Sequence, residues 1–450
     1  MTQNQYVDAY SLPINFGREL ERRAEPLVFQ SCDLNAQTEE LRSALSRIFI
    51  CGVQVKSLIK MLLALGQAHA ITHCSSGRQM VSDVYSLNPW GTASESAIML
   101  IGLAGVGKTE CVRAIQRLLS ARLATIDLPM HRGMALVPAW FISMLEASSL
   151  DSMLRPQLDL VRSDLSGRAI RQDKLLELSR RASRRDGTCL VFVDELQFQT
   201  HGSQANTRVT GQLLALLSMG PRLIYVCNYS LAHKLKARRQ EDQQRLLANP
   251  LVLEPDPPES PCFQRLLREY FSVLQNDFPS NPSYVAEDIH RYTFGIKRAI
   301  VNLLCIAWRI AKTKRGAEAC VGLDDFRSAY LSAQYSFYRD DTEALWRHSM
   351  GGRGVREDLV NPFHEHGSRR NNVVTANAAI ETWKREVASS HVFDTMTPAE
   401  RAAEIELSSL TLGQTSTAKK VVRLKRDLSS KVALLDALDR FDTIPFKSTD

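Results

Sequence analysis

Apolar positions change rhythm along this 450-residue chain. Short continuous apolar runs alternate with longer stretches of helical period. From about Asn35 to His73 the period is helical: Gln37-Thr38-Glu39-Glu40 opens one amphipathic stretch, and Val55 to Ala70 is a second, more apolar one. Residues before about 30 read as irregular. Asn88 to Thr92 is a turn-rich link into the apolar run Ile98-Met99-Leu100-Ile101, which is followed by a helix-like stretch from Glu110 to Leu119. Leu136 to Ile142 predicts a strand, and Pro138 restricts it to an edge or to the strand's first residues. A helix over Lys174 to Arg185 leads into Cys189-Leu190-Val191-Phe192-Val193, the unbroken apolar run of a strand buried on both faces. Thr210 to Met219 reads as a helix and Leu223 to Cys227 as a further short strand. Strands alternating with helices predict a parallel sheet covered on both sides.

The rhythm breaks at Pro255-Asp256-Pro257-Pro258-Glu259-Ser260-Pro261, because proline both lacks an N–H and clashes with a continuing helix. Only helical stretches follow: Cys262 to Leu274, Tyr284 to Tyr292, Ile296 to Lys312 and Leu323 to Ala333. Beyond about Tyr335 the chain turns polar, with short helices predicted at 376–388, 397–407 and 429–441. The expected organisation is an N-terminal helical region (1–75), an α/β domain (76–256), a compact helical domain (257–335) and a partly ordered C-terminal tail (336–450). No internal repeat is visible.

Composition narrows the class. The apolar fraction of 44% is ordinary for a globular protein. No apolar run approaches membrane-spanning length, and Met1 to Asn15 is polar without a signal pattern, so no membrane partner and a cytoplasmic location are expected. The nine cysteines are scattered with no C-x-x-C pair and read as reduced core residues. His364 and His366 are close, but nothing completes a metal set around them. The net charge of +7 permits nucleic-acid contact without requiring it.

The candidate chemistry begins at Gly102-Leu103-Ala104-Gly105-Val106-Gly107-Lys108-Thr109. A glycine-rich loop between a strand and a helix turns backbone N–H groups inward around a phosphate. Gly102, Gly105, Val106, Gly107 and the helix start through Glu110 form the cradle; Lys108 reaches the β- and γ-phosphates, and the Thr109 hydroxyl takes a place on magnesium. The expected ligands are therefore ATP and Mg2+. A second acidic signal ends the Cys189 strand: Asp194 would hold the magnesium through water, and Glu195 would polarise the attacking water.

Phosphate loop, Asp-Glu strand, polar residue ending a third strand, proline hinge and helical lid, in that order, resemble the AAA+ ATPases. The resemblance implies an AAA+ P-loop NTPase fold. In it, Asn228 matches sensor 1, which orients the water, and Gly295-Ile296-Lys297-Arg298 is similar to sensor 2, with Arg298 reaching the γ-phosphate. Arg245, in Gln243-Gln244-Arg245-Leu246-Leu247, sits where the family's arginine finger lies, with Arg238 and Arg239 as rivals. Within that group, Asp194-Glu195-Leu196-Gln197, the polar His201-Gly202-Ser203 loop and the leucine-rich helix after it look like the TnsC, TniB and MuB transposition regulators, over roughly residues 35–335. The third strand ends here in Cys227-Asn228, where TnsC and TniB commonly have Gly-Thr.

That likeness implies a homo-oligomeric ring or filament on duplex DNA that marks a target site and recruits transposase and target-selector proteins, with hydrolysis controlling disassembly. Two other readings stand beside it: a nucleotide-switched signalling or defence ATPase, and a loader of the replication-initiator kind. For DNA the sequence offers Arg155, Arg162, Arg168, Arg171, Lys174, Arg180, Arg181, Arg184 and Arg185, interspersed with acids. As a group they would bind phosphates without reading bases; singly they equally suit a mixed-charge solvated face. Lys419, Lys420, Arg423, Lys425 and Arg426 form a second cluster: a nucleic-acid arm, a partner-docking element or a solubilising linker.

Overall fold

Unbroken apolar runs become a parallel sheet. The computed structural model describes residues 10–11, 16–73, 96–121, 125–128, 131–144, 149–158, 170–196, 205–350 and 356–363, all within one compact unit spanning Met1–Asn377. The tail helices, the Lys419 cluster, His364, His366, Arg162, Arg168, the Asn88–Thr92 link and the His201 loop lie outside the described residues.

Five strands form the sheet: β1 (Ile98–Gly102), β4 (Ala139–Ser143), β5 (Leu190–Asp194), β6 (Arg222–Cys227) and β7 (Asn249–Leu253), in the order β4-β5-β6-β1-β7. Every pairing is parallel. The period-two pleat explains why no polar position interrupts the central strands. Met99, Ile101, Val191, Val193, Tyr225 and Cys227 enter one core. Their neighbours Ile98, Leu100, Leu190, Phe192, Ile224 and Val226 enter the other. Helices cover both faces. On the second lie α3 (Val53–His73) and α4 (Lys108–Ser120), whose Leu58, Ile59, Leu62, Cys111 and Ile115 pack there. On the first lie α7 (Ala205–Leu217) and α8 (Tyr229–Lys236), whereas α2 (Leu34–Arg47) packs against the helix over Lys297–Arg315. The remaining helices of this part are α1 (Phe16–Leu20), α5 (Leu150–Leu154), α6 (Gln172–Arg185) and α9 (Gln240–Leu246).

Two strand features depart from the sequence reading. The hairpin of β2 (Thr125–Leu128) and β3 (His131–Ala135) was not expected; it is antiparallel, with a register shift between Ile126 and Leu128. Strand β7 was not expected either. It starts Asn249-Pro250 and is only half-buried until Leu253, so it has no continuous apolar signature. It tolerates Pro250 because it lies at the sheet edge. Pro138 meets the same constraint at the other edge, just ahead of β4, where its carbonyl accepts the Tyr10 hydroxyl at 2.7 Å.

The proline-rich segment ends by starting a helix. Pro261 occupies the first turn of α10 (Pro261–Ser272), and the Ser260 hydroxyl caps it by accepting the Phe263 N–H at 3.0 Å. The lid continues through α11 (Ala286–Thr293), α12 (Lys297–Arg315), α13 (Leu323–Leu331) and α14 (Ser336–Ser349). Helix α14 falls beyond residue 335, in sequence that reads as tail. Its apolar stripe is narrow: Thr342 and Leu345 are buried while most neighbours are polar. The Trp346 indole N–H donates to the Arg291 carbonyl at 2.9 Å, fixing α14 to α11. Residues 356–363 then return to α8, where Leu359 is buried and His233 Nε2 donates to the Val360 carbonyl at 2.9 Å. Among the described residues all cysteines are free, and no helix is long and apolar enough to cross a membrane.

Candidate functional site

Strand β1 ends at Gly102 and α4 begins at Lys108, so the glycine-rich loop spans the gap between a buried strand and a helix N-terminus. Gly105 and Gly107 have φ of +81° and +110°. A side chain is strained in that region, and a Cβ on Gly105 would stand 2.7 Å from the Arg298 Cβ. Gly107 caps α4 without a side chain, leaving the N–H groups of the first turn, including those of Thr109 and Glu110, facing outward as an anion site. The Glu110 carboxylate itself is turned to Arg113 at 2.7 Å. Val106 is buried, with its N–H donating to the Leu103 carbonyl at 3.4 Å.

The Lys108 ammonium is folded back across the loop. It donates to the Gly102 carbonyl at 2.9 Å, the Leu103 carbonyl at 2.8 Å and the Asn228 side-chain oxygen at 2.7 Å. Burial pulls its pKa down to about 8, and the negative potential of Asp194 and Glu195 opposes the shift. Asn228 follows β6, the strand lying between β5 and β1. It occupies the N-cap of α8 yet makes no side-chain cap; its oxygen serves Lys108 instead.

The acidic pair ends β5. The Asp194 carboxylate accepts the Glu195 N–H at 2.8 Å and the Thr109 hydroxyl. Burial raises its pKa, against those two hydrogen bonds. Thr109 and Asp194 thus present hard oxygen donors side by side at the loop's exit, a set that fits Mg2+. Glu195 has φ of +62°, an uncommon conformation for a non-glycine residue. The turn sets its side chain immediately beyond the strand's last carboxylate.

The lid meets the loop directly. The Arg298 N–H donates to the Gly105 carbonyl at 3.2 Å, and the Arg298 side chain is exposed. A cleft opens beside this contact. Val55, Val106 and Leu253 give it apolar walls, while Glu254, Asp256 and Lys297 give it charged edges. The cleft is narrow, an apolar slot with charged edges beside the phosphate loop. Val106 and Lys297 lie within motifs visible in the sequence; Val55, Leu253 and Glu254 do not, and the lining comes from four separate segments that only the fold brings together.

Arg245 is exposed at the end of α9. Its carbonyl accepts the Ala97 N–H at 2.7 Å, tying the backbone there to the entrance of β1. Among the described residues its guanidinium makes no ion pair. Of its rivals, Arg238 donates to Asp242 and to Thr207, both at 3.3 Å, and Arg239 is exposed.

The arginine-rich segment around α6 is a different matter. Arg155 pairs with Asp151 at 2.5 Å, Arg171 with Asp173 at 3.1 Å, Lys174 and Arg181 both with Glu177, at 3.0 and 2.6 Å, and Arg185 with Asp186 at 2.6 Å. Arg180 donates to the Ser218 carbonyl and hydroxyl at 3.1 and 3.0 Å. Arg184 is only 4% exposed. Arg171, Lys174 and Arg181 pair with acids two to four residues away and remain exposed, so the charge along α6 is mixed rather than a continuous basic stripe.

Residues 98–238 match the family model described as "ATPase family associated with various cellular activities (AAA)". Over those residues the chain is similar to the AAA ATPases, and the parallel sheet and glycine-rich loop make a P-loop fold. No curated protein matches the sequence. Similar solved structures include Orc1 of Aeropyrum pernix in complex with DNA, at 16% identity and a TM-score of 0.38, covering 61% of this chain and 66% of that one. Cdc6p from Pyrobaculum aerophilum is 12% identical with a TM-score of 0.36, covering 62% and 73%. AMPPCP-bound DnaA from Aquifex aeolicus is 11% identical with a TM-score of 0.34, covering 78% and 98%. The chain spans just under two thirds of the Orc1 chain's length.

Proposed function

We propose that this chain is an ATP-hydrolysing assembly protein of the transposition-regulator type, which oligomerises on duplex DNA, marks a target site, recruits a transposase and is released by hydrolysis. The observation that carries the ATPase part is the convergence of Lys108, Thr109, Asp194 and Asn228 at one end of the sheet.

In this reading the first-turn N–H groups of α4 and Lys108 bind the phosphates, and Thr109 and Asp194 hold Mg2+. Held there, Mg2+ would supply charge neutralisation to the phosphates. Glu195 orients a water and accepts its proton as the oxygen bonds to the γ-phosphorus and the bond to the β–γ bridging oxygen breaks. Asn228 moves from Lys108 to the water or the γ-phosphate when Lys108 turns outward. Arg298 approaches from the lid. Arg245, exposed and without an ion pair among the described residues, supplies the remaining positive charge to a neighbouring subunit's site, so hydrolysis depends on assembly.

The DNA and transposase parts rest on the sequence resemblance. They are tested by imaging the full chain with duplex DNA and a slowly hydrolysed ATP analogue, with the Glu195→Gln variant in parallel. Rings or filaments that need both nucleotide and duplex support the proposal; a monomer under all conditions sinks it. A second reading, a nucleotide-switched partner-binding ATPase, is favoured by the return of residues 356–363 to α8, directly after Asn228, which would pass a change at the site to the chain beyond. ATP-dependent assembly indifferent to DNA and to salt would select that reading.

A further inference from the structure

The loop is met by a positive group that the motifs leave unassigned. Lys297 begins α12, one residue ahead of Arg298, and it is half-buried in the cleft beside the phosphate loop. Its stem lies over Gly107: a Cβ built on that glycine would stand 3.3 Å from the Lys297 Nζ and 3.4 Å from its Cδ. The ammonium lies 5.9 Å from the centre of the Phe49 ring. Among the described residues it makes no hydrogen bond or ion pair, although Glu254 and Asp256 line the same cleft.

This placement works against folding alone. A cation at a helix N-terminus opposes the macrodipole, and Lys297 faces the N-terminus of α4 while opening that of α12. Lys108 lies at the same loop, and Arg298 is held against Gly105. Two helix N-termini and three cations therefore meet around one glycine turn, with no carboxylate bonded to Lys297. A polyanion bound in the loop resolves this arrangement.

Position separates the two lid cations. Arg298 packs at Gly105, in the middle of the loop, whereas Lys297 lies over Gly107, the residue that starts α4. Lys297 also lines the narrow cleft beside the loop, while Arg298 does not. We infer that Lys297 is a nucleotide-binding residue for the phosphates that are not transferred, holding the diphosphate part of the nucleotide at the junction between loop and cleft. It would grip ATP and ADP alike and keep the lid closed after hydrolysis. The inference rests on the nucleotide-binding reading of the loop.

The test is a calorimetric titration of the full chain with ADP and, separately, with a slowly hydrolysed ATP analogue, for wild type, Lys297→Gln, Lys297→Arg and Arg298→Gln. Lys297→Gln is expected to weaken both ligands by the same factor, on the order of tenfold, as loss of one charge-assisted contact should. Lys297→Arg recovers most of that loss. Arg298→Gln weakens the triphosphate analogue more than ADP. Thermal melts of the unliganded variants within a few degrees of wild type separate lost contact from lost fold. Unchanged affinity in Lys297→Gln overturns the inference, and so does a loss confined to the triphosphate. If wild type itself binds neither nucleotide, the nucleotide reading of the loop falls and this inference falls with it.

Discussion

The Lys108 ammonium and the Asn228 side-chain oxygen lie 2.7 Å apart, linking the phosphate loop after β1 to the end of β6. In this geometry the two groups that would act on the γ-phosphate occupy each other. Phosphate entry must turn Lys108 outward, which frees the Asn228 oxygen at the moment a water needs orienting. Under the proposed function, nucleotide binding and assembly of the hydrolytic site would therefore be one event. Asn228→Ala should lower kcat roughly 100-fold with nucleotide affinity changed less than about threefold. Steady-state kinetics with a parallel binding titration check it. A loss carried wholly by KM contradicts it.

Glu195, the proposed base, sits on a strained backbone, at φ of +62°. Glu195→Gln keeps the strain and removes the base; hydrolysis should fall about 100-fold or more while nucleotide stays bound. Glu195→Gly removes both, relieving about 1 kcal/mol of backbone strain. Its melting temperature should be no lower than wild type although it is inactive. A drop of several degrees would show that the Glu195 side chain supports the fold.

His290 makes lid stability depend on pH. It is 9% exposed and packs edge-on to Phe263 and Trp346. Burial lowers its pKa to about 4, against the pull of Glu259 and of a backbone hydrogen bond at Asp256. The unfolded chain therefore binds this proton more readily than the folded one between about pH 6.5 and 4. The stabilising contribution is whole above that window and is lost as pH falls through it, on the order of 3 kcal/mol at most. His69, also buried and lowered to about 3, adds to the same trend. His290→Phe should flatten the fall of melting temperature across this window without abolishing it; an unchanged slope refutes the assignment.

How much of this was legible in the sequence follows from burial. Strands β1, β5 and β6 have both faces covered, so their apolar runs are unbroken and easily read. Strand β7 is an edge strand with Asn249, Pro250 and a half-buried face, and α14 buries little beyond Thr342 and Leu345; neither leaves a strong pattern. The loop residues and the Asp194-Glu195 pair are contiguous motifs and were visible. The cleft was not, because Val55, the 253–256 run and Lys297 come together only in space. The arginines of α6 show the converse limit. Their charge is visible in sequence, but partners such as Ser218 for Arg180 are fixed only by the packing of α6 on the end of α7.

The central claim is that the site is completed by a second subunit, and subunit mixing tests it most directly. Arg245→Ala and Glu195→Gln should each be inactive alone. Mixed in equal amounts with ATP, they should regain roughly a quarter of the wild-type rate, since in a head-to-tail assembly that share of interfaces joins an intact Glu195 to an intact Arg245. An Arg245→Ala protein as active as wild type, or a mixture as inactive as its parts, would contradict the account.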